Sequence, residues 1–354
     1  MGSAGIMFTF CAGAVLDWKW LAVANGIWGI LFMIGMYFAP ESPRWLLLKG
    51  REYSAKRSLE WLRGRDDSKA IDAEIEKTKK DIAIKKTQRV SISQLSSVWK
   101  PFIVALVMMS IVQLSGFNVL VYYTVNIFQM ANSTVDPKIA SIIVGITLLV
   151  SCILAILIVS KLNRKLMLSV SIFFMGVSQA VLGYCMYHKE QLDAQIHERL
   201  IRENITDLQA FSVNKTEAEI LEYSPQSPDW LGWLPLVAVI SFLFFGNGGY
   251  GTLIWVVTAE LLPAKVRSVA NSIIICLGFL GGFVVAKTFV DLIEALGQSV
   301  TFWIYSGMCF FGLIFTIVCV PETRNKTMDE IQEAFNQPCS QLVTERLCGC
   351  CRKK

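Results

Sequence analysis

The sequence predicts an all-α integral membrane protein with about eight transmembrane helices, on three observations. Hydrophobic residues make up 54% of its 354 residues and charged residues only 17%, which is too little polar surface for a water-soluble chain. Apolar runs of about 20 residues, the length that crosses a bilayer as a helix, recur along the chain. The charged residues are gathered between these runs rather than within them.

The apolar runs divide the chain into four parts. Residues 1–39 hold the last two spans of an incomplete N-terminal half, 40–100 a cytosolic helical linker, 101–320 a six-helix C-terminal half, and 321–354 a cytosolic tail. We expect the six spans to form a closed bundle, with the first two packed loosely beside it. The first span is short, as if the chain opened part-way into a helix. The predicted spans are Gly2–Leu16, Trp18–Ala39, Pro101–Met130, Ile139–Ser160, Leu166–Tyr187, Trp230–Ala259, Ser268–Val290 and Ser299–Val320.

The linker carries two helical patterns, Ser54–Leu62 and Ile71–Ile84. In the second pattern Ile71, Ile75 and Ile82 fall on one face, with Lys and Glu elsewhere. A helix with one apolar face packs that face against a neighbour. The pattern therefore favours a small helical cap under the membrane domain over a partner-binding module.

Loop charges set the orientation of the spans. The segment Glu41–Lys100 is rich in Lys and Arg, whereas the loop His188–Asp229 is mainly acidic. Because basic loops stay on the cytosolic side, we expect the first in the cytosol, the second outside and both termini in the cytosol. Glycosylation sequons fall on loops assigned to the outside, at Asn132, Asn204 and Asn214.

The cysteines do not form a disulfide framework, because most lie in apolar spans where Cys acts as a small hydrophobe. Cys348, Cys350 and Cys351 cluster in a basic tail, which is either palmitoylated or inert. A metal site there lacks a fourth ligand. The chain carries no hydrolytic triad, HExxH, P-loop or CxxC pattern, so we expect neither an enzyme nor a cofactor.

Polar side chains inside a span are costly in lipid and mark cavities or helix contacts. The third span carries Gln113 and Asn118 on either side of Gly116, followed by Tyr122 and Tyr123. Gly116 would let the helix break or bend near the middle of the membrane. The two amides offer both donors and acceptors, which match the hydroxyls of a neutral polyol. The alternative is hydrogen bonding between helices.

The sixth span is unusually rich in glycine between Gly246 and Gly251, which allows bending or close packing. Trp255 follows, and its ring is suited either to stacking on the apolar face of a sugar or to the core of the bundle. Gly278, Gly281 and Gly282 in the seventh span are predicted to serve close packing.

Two spans end in similar motifs, Pro-Glu-Ser-Pro-Arg at Pro40–Arg44 and Pro-Glu-Thr-Arg at Pro321–Arg324. Proline stops a helix where the chain leaves lipid, and the repeated motif suggests related halves, as in transporters. An acid and a base fixed at the end of a span suggest an ion pair that holds neighbouring helices together. The acids and bases predicted to form cytosolic gating salt bridges are Glu41, Arg44, Arg164, Glu260, Arg267 and Glu322.

Taken together, these motifs resemble the sugar porter family of the major facilitator superfamily. Pro40–Arg44 resembles its sixth-helix exit, Gln113–Asn118 with the tyrosine pair its seventh-helix sugar-binding stretch, Trp255–Arg267 its tenth helix and following loop, and Pro321–Thr327 its closing motif. Phe283–Phe289 is similar to insect facilitated trehalose and hexose transporters. The chain departs from the family at Val112, Leu148, Ser160–Arg164, Thr252, Ile254 and Gly278.

The resemblance implies a major facilitator bundle that corresponds to the fifth to twelfth helices of the family, with the first four absent. It implies facilitative transport of a hexose or a trehalose-like disaccharide across a bilayer, in the plasma membrane, by alternating access. Sugar would be contacted by Gln113, Asn118, Tyr122, Tyr123 and Trp255. The alternative is a truncated relative that no longer transports and acts as a sensor or regulatory partner.

Overall fold

A computed structural model describes residues 2–64, 68–87, 98–131, 136–159, 161–202, 229–263, 266–324, 326 and 330–331. Over these ranges the chain forms helices and no strand, so the predicted all-α fold is confirmed. The helices are α1 Gly2–Val15, α2 Trp18–Phe38, α3 Pro43–Leu48, α4 Glu52–Arg63, α5 Ser68–Thr87, α6 Trp99–Leu114, α7 Phe117–Tyr122, α8 Thr124–Met130, α9 Pro137–Val159, α10 Arg164–Arg202, α11 Asp229–Phe245, the π-helix Gly246–Gly251, α12 Thr252–Leu261, α13 Arg267–Leu296 and α14 Gln298–Cys319.

Within the described residues, seven helical stretches are long and apolar enough to cross a membrane. The first predicted span is the exception, because α1 has 14 residues. At 1.5 Å per residue such a helix covers about 21 Å, less than the hydrocarbon core of about 30 Å. The structure thus describes seven spanning stretches and one shorter apolar helix where the sequence predicts about eight spans.

The chain separates into two compact units, and the larger one contains α1 together with the six C-terminal spans. In it α1 packs on α9, where a Cβ on Gly145 would lie 3.2 Å from the Cα of Met7. This glycine lets the two backbones approach closely. Helix α1 thus contacts α9 although none of its residues is buried, and its grouping with α2 in one incomplete half stays a prediction.

The centre of the larger unit is α10, which packs along α14 and α11. It runs for 39 residues, or about 58 Å at 1.5 Å per residue, so it is longer than a bilayer is thick. The predicted outer loop His188–Asp229 consequently begins as helix and remains helical to Arg202. At Tyr187 the sequence changes from apolar to polar, but the helix continues. It continues because the residues that follow are good helix formers without Gly or Pro.

The smaller unit contains α2 to α5. None of the residues of α2 is buried. The two predicted linker helices are confirmed as α4 and α5, each a few residues longer than expected. Ile71 and Ile75 pack with Leu59 in a small apolar cluster, and Ile82 is buried as well.

Ion pairs join α4 to α5 in the same unit. Lys56 donates to Asp72 at 2.6 Å, and this hydrogen bond raises the pKa of Lys56 above its ordinary value. Arg63 pairs with Glu74 at 2.9 Å. The linker is therefore a folded helical element held by an apolar cluster and exposed ion pairs.

The predicted sequons at Asn132, Asn204 and Asn214 and the tail cysteines lie outside the described residues.

Candidate functional site

The third predicted span is interrupted at Ser115 and Gly116, as the sequence predicts. Helix α6 ends at Leu114 and α7 begins at Phe117, with Gly116 between them at a φ of +75°. A side chain rarely adopts this left-handed conformation, and a Cβ on Gly116 would lie 2.8 Å from the ring of Tyr305. Glycine is thus required here both by the backbone and by its neighbour.

The carbonyl groups left open by the interruption are satisfied by side chains. Gln179 of α10 is 1% exposed, and its Nε2 donates to the carbonyl of Ser115 at 3.1 Å. The hydroxyl of Ser115 donates to the carbonyl of Val112 at 2.7 Å. Gln179 was not predicted as a functional residue, although an amide inside the apolar run Leu166–Tyr187 is a signal that points to it.

Gln113 and Asn118 face each other across the interruption. Asn118 Nδ2 donates to Gln113 Oε1 at 2.6 Å, and Gln113 is 5% exposed while Asn118 is half-buried. Among the described residues, neither Gln113 Nε2 nor Asn118 Oδ1 takes part in a further hydrogen bond. This amide pair, Gln113 and Asn118, therefore presents an unused donor and an unused acceptor side by side.

Helix α13 approaches its neighbours closely at Gly278 and Gly282, as predicted, but not at Gly281, where a Cβ would lie 3.9 Å from its nearest neighbour. A Cβ on Gly282 would lie 2.8 Å from Gln113 Oε1 and 3.0 Å from Asn118 Nδ2. One turn earlier, a Cβ on Gly278 would lie 2.7 Å from Met109. The amide pair consequently lies against another helix of the unit.

Two further candidate residues contact the same helix. The hydroxyl of Tyr123 donates to the carbonyl of Ala286 at 3.4 Å, and the ring of Trp255 lies 6.3 Å from that of Phe279. Phe279, Gly282 and Ala286 follow helical spacing and form one side of α13, which we call the α13 stripe.

Four of the five residues predicted to bind sugar are thus gathered along this stripe. The fifth, Tyr122, is 69% exposed and is not part of the arrangement. Trp255 is 43% exposed, so its ring is accessible rather than enclosed in the core of the unit.

The glycine-rich sixth span forms a π-helix at Gly246–Gly251, which confirms the predicted departure from a regular helix. Its polar groups bond to neighbouring helices: Asn247 Nδ2 donates to the carbonyl of Leu148 at 2.8 Å and to the hydroxyl of Ser151 at 2.9 Å. Ser171 Oγ accepts from the backbone N–H of Tyr250 at 2.9 Å and donates to the carbonyl of Phe245. Neither serine was predicted from the sequence to have this role.

At the end predicted to be cytosolic, three of the proposed gating residues meet. Arg164 and Glu260 form an ion pair whose side chains are 21% and 26% exposed. The carboxylate of Glu322 accepts the backbone N–H groups of Arg164 and Lys165, each at 3.1 Å. Glu322 thereby caps the N-terminus of α10, where a negative charge is favoured.

The closing motif makes a second contact near the start of α10, because Arg324 donates to the carbonyl of Lys161 at 2.5 Å. We call this region, around Arg164, Glu260 and Glu322, the corner. Glu41, Arg44 and Arg267 belong to the smaller unit, and the side chains of Glu41 and Arg44 are exposed. Their part in the salt-bridge network stays a prediction.

A matching cap lies at the other end of the same helix pair. The carboxylate of Glu190 in α10 accepts the backbone N–H of Gln298 at 2.9 Å and the hydroxyl of Ser299 at 2.7 Å, at the start of α14. Each of the two antiparallel helices therefore has its N-terminus capped by a glutamate from the other helix or from just beyond it. The role of Glu190 was not predicted from the sequence.

The family profile described as "Sugar (and other) transporter" matches residues 1–335 of the chain. The chain is 33% identical over 340 residues to the facilitated trehalose transporter Tret1 of Apis mellifera ligustica, covering 95% of this chain and 61% of the relative. It is 32% identical over 335 residues to Tret1 of Drosophila willistoni, covering 94% of this chain and 34% of the relative. The chain thus spans between a third and two thirds of the length of these relatives.

Solved structures carry the same fold. The inward-open xylose transporter XylE from E. coli aligns with a TM-score of 0.66 and 20% identity, over 92% of this chain and 62% of that one. The major facilitator superfamily proton:xylose symporter XylE bound to 6-bromo-6-deoxy-D-glucose aligns with a TM-score of 0.63 and 22% identity, over 93% and 63%. At these identities the likeness shows the fold alone, and that fold is the major facilitator bundle.

Proposed function

Because the chain belongs to the sugar (and other) transporter family, we propose that it takes part in facilitative transport of a sugar across a membrane. The substrate class is a hexose or a trehalose-like disaccharide, in keeping with the trehalose transporters to which it is similar. Those relatives support a role in transport rather than in catalysis.

The observation that carries this proposal is the amide pair. Gln113 Nε2 and Asn118 Oδ1 leave a donor and an acceptor without a protein partner among the described residues. A sugar hydroxyl both donates and accepts, so it satisfies the two groups at once. Trp255, with its accessible ring further along the α13 stripe, would stack on the apolar face of the same sugar.

The proposed mechanism is alternating access about this site. The interruption at Gly116 and the π-helix are places where two spans depart from regular helix and can bend. The ion pair of Arg164 and Glu260, with Glu322 capping α10, would hold one state at the cytosolic end. A contribution of about 1.4 kcal/mol changes an equilibrium constant tenfold, which is enough to bias an equilibrium between two states of similar energy.

Uptake of labelled trehalose and glucose into vesicles that contain the protein tests the proposal. Asn118→Ala removes one ligand partner, which costs about 1–3 kcal/mol and weakens apparent affinity roughly ten- to hundredfold. Asn25→Ala, the same change at an exposed position of α2, is the matched control and should leave uptake unchanged.

Equal uptake by the two variants would contradict the assignment of the amide pair. Sugar-dependent thermal stabilisation without uptake, lost in Asn118→Ala, would instead favour a sugar-sensing or regulatory membrane protein.

We also propose that the protein resides in the plasma membrane. The distribution of charged residues in the loops supports an orientation with both termini in the cytosol. Protease applied to intact cells should cleave within 191–223 and spare 51–89. Cleavage of the basic linker from outside would reverse the orientation.

A further inference from the structure

An apolar cleft lies behind the π-helix, on the side formed by α9 and α10. Its volume is about 220 Å³. An apolar protein cavity of about 150 Å³ already stays dry and binds benzene, so this cleft has room for a hydrocarbon ligand. Its apolar lining includes Leu154, Ile158, Leu162, Leu166, Val170 and Phe245.

The serine hydroxyls in the wall of the cleft already form hydrogen bonds within the protein. Ser151 Oγ donates to the carbonyl of Leu148 at 3.0 Å and accepts from Asn247, while Ser171 Oγ bonds to the backbone of the π-helix. Burying a polar ligand against such a surface would leave that ligand without hydrogen bonds, at a cost in free energy. The cleft is therefore suited to an apolar occupant.

The length of the cleft matches one leaflet of a bilayer. Along α10 it extends from Leu162, just before the helix, to Ser171, about 14 Å at 1.5 Å per residue. Half of a hydrocarbon core of about 30 Å is about 15 Å. A chain lying in the cleft would thus run from the level of the headgroups to the middle of the membrane.

The headgroup end of the cleft is positively charged. Lys161 and Lys165 are sequence neighbours of the lining residues Leu162 and Leu166, and Lys161 is exposed. Their corner contains four basic side chains against two carboxylates, namely Lys161, Arg164, Lys165, Arg324, Glu260 and Glu322. Such a surplus attracts an anionic headgroup at a membrane surface.

We propose that this cleft binds one acyl chain of an anionic phospholipid, with the phosphate of the headgroup beside Lys161. The chain would lie against Gly248 and Gly249 of the π-helix and along the first turns of α10, next to the ion pair of Arg164 and Glu260. The lipid would therefore support both the interrupted helix that leads to Trp255 and the corner that the gating residues occupy. This inference does not depend on transport of a sugar.

Photocrosslinking in nanodiscs tests the proposal directly. The whole chain is placed in phosphatidylcholine with a small fraction of phosphatidylglycerol whose acyl chain carries a diazirine, and the crosslinked peptides are identified by mass spectrometry. We expect label on Leu154, Leu166 and Val170 in excess of label on Ile156, which is 68% exposed on the outer side of α9.

Filling the cleft provides the matched variants. Leu154→Trp should reduce the label on α10 to background, whereas Ile156→Trp, two residues away and outside the cleft, should leave it unchanged. Label that is equal on both sides of α9, or that is insensitive to Leu154→Trp in a protein of unchanged thermal stability, would overturn the proposal.

The charge requirement is tested by competition between lipids. Lys161→Gln should lower the preference for phosphatidylglycerol over phosphatidylcholine about fivefold, which corresponds to about 1 kcal/mol for one Lys at an anionic surface. Lys138→Gln, at the opposite end of α9, is the control. An unchanged preference in Lys161→Gln, or stronger labelling by a photoreactive sterol than by phosphatidylglycerol, would contradict the assignment of the ligand.

Discussion

Two spans of the larger unit depart from regular helix, one at Gly116 and one at the π-helix. The polar side chains beside these two interruptions form hydrogen bonds in opposite ways. At Gly116, the amide pair of Gln113 and Asn118 makes one mutual hydrogen bond and leaves a donor and an acceptor unused. At the π-helix, Asn247 donates to two groups of α9, and Ser171 bridges two backbone groups. Asn118 is therefore a candidate sugar ligand, whereas Asn247 makes structural hydrogen bonds between helices.

The difference follows from what lies opposite each interruption. The amide pair faces Gly282, which has no side chain to bond with it. The π-helix faces Ser151 and Ser171, whose hydroxyls supply the missing partners. The polarity of a span therefore does not reveal a binding site until the partners of its polar groups are known.

The largest effect should come from Gly116→Val. The backbone conformation at φ +75° costs a branched residue about 1–3 kcal/mol, and the new Cβ would also lie 2.8 Å from the ring of Tyr305. We expect a marked fall in thermal stability in detergent, monitored by size-exclusion chromatography after heating. Gly281→Ala is the control, because its Cβ would meet its nearest neighbour at 3.9 Å. Equal stability of the two variants would show that Gly116 is not a required break.

Ser171→Ala should come next, as the test of the structural interruption. It leaves the carbonyl of Phe245 and the N–H of Tyr250 without the bridging hydroxyl, at about 1–3 kcal/mol. We expect lower thermal stability with unchanged apparent sugar affinity in the fraction that remains folded. Ser169→Ala, two residues earlier and half-buried, is the control. A change in sugar affinity without a loss of stability would remove the contrast between the two interruptions.

The sequence predicted the course of the chain well, because hydropathy and helix-breaking residues act locally. The break at Gly116, the departure at Gly246–Gly251, the linker helices and the glycine contacts of α13 were all expected from composition and spacing. The long extension of α10 was missed for a physical reason, since polarity marks the end of a membrane span and not the end of a helix.

The sequence was a weaker guide to the site, because hydrogen-bond partners far apart in the chain leave no local signal. Gln113, Asn118, Tyr123 and Trp255 were expected together, but the α13 stripe that gathers them was not. Gln179, Ser171 and Glu190 were missed, since each acts on a backbone group of a distant helix. Tyr122 was grouped with its neighbour Tyr123, although adjacent residues of a helix point in different directions.

The smallest effect on stability is expected from Gln113→Met, which tests the other side of the comparison. Methionine has a similar length and volume, so the change removes one neutral hydrogen bond, worth about 0.5–1.5 kcal/mol, without opening a large cavity. Apparent sugar affinity should nevertheless fall roughly ten- to hundredfold, because a ligand hydroxyl loses its partner in a desolvated site.

The matched control is Gln129→Met at an exposed position of α8, which should alter neither stability nor affinity. Thermal stability and labelled-sugar uptake measured on the same preparations separate the two quantities. If Gln113→Met lost as much stability as Ser171→Ala and kept its affinity for sugar, the amide pair would have the same structural role as Asn247. Both interruptions would then be structural, and the sugar site would have to lie on other residues of the bundle.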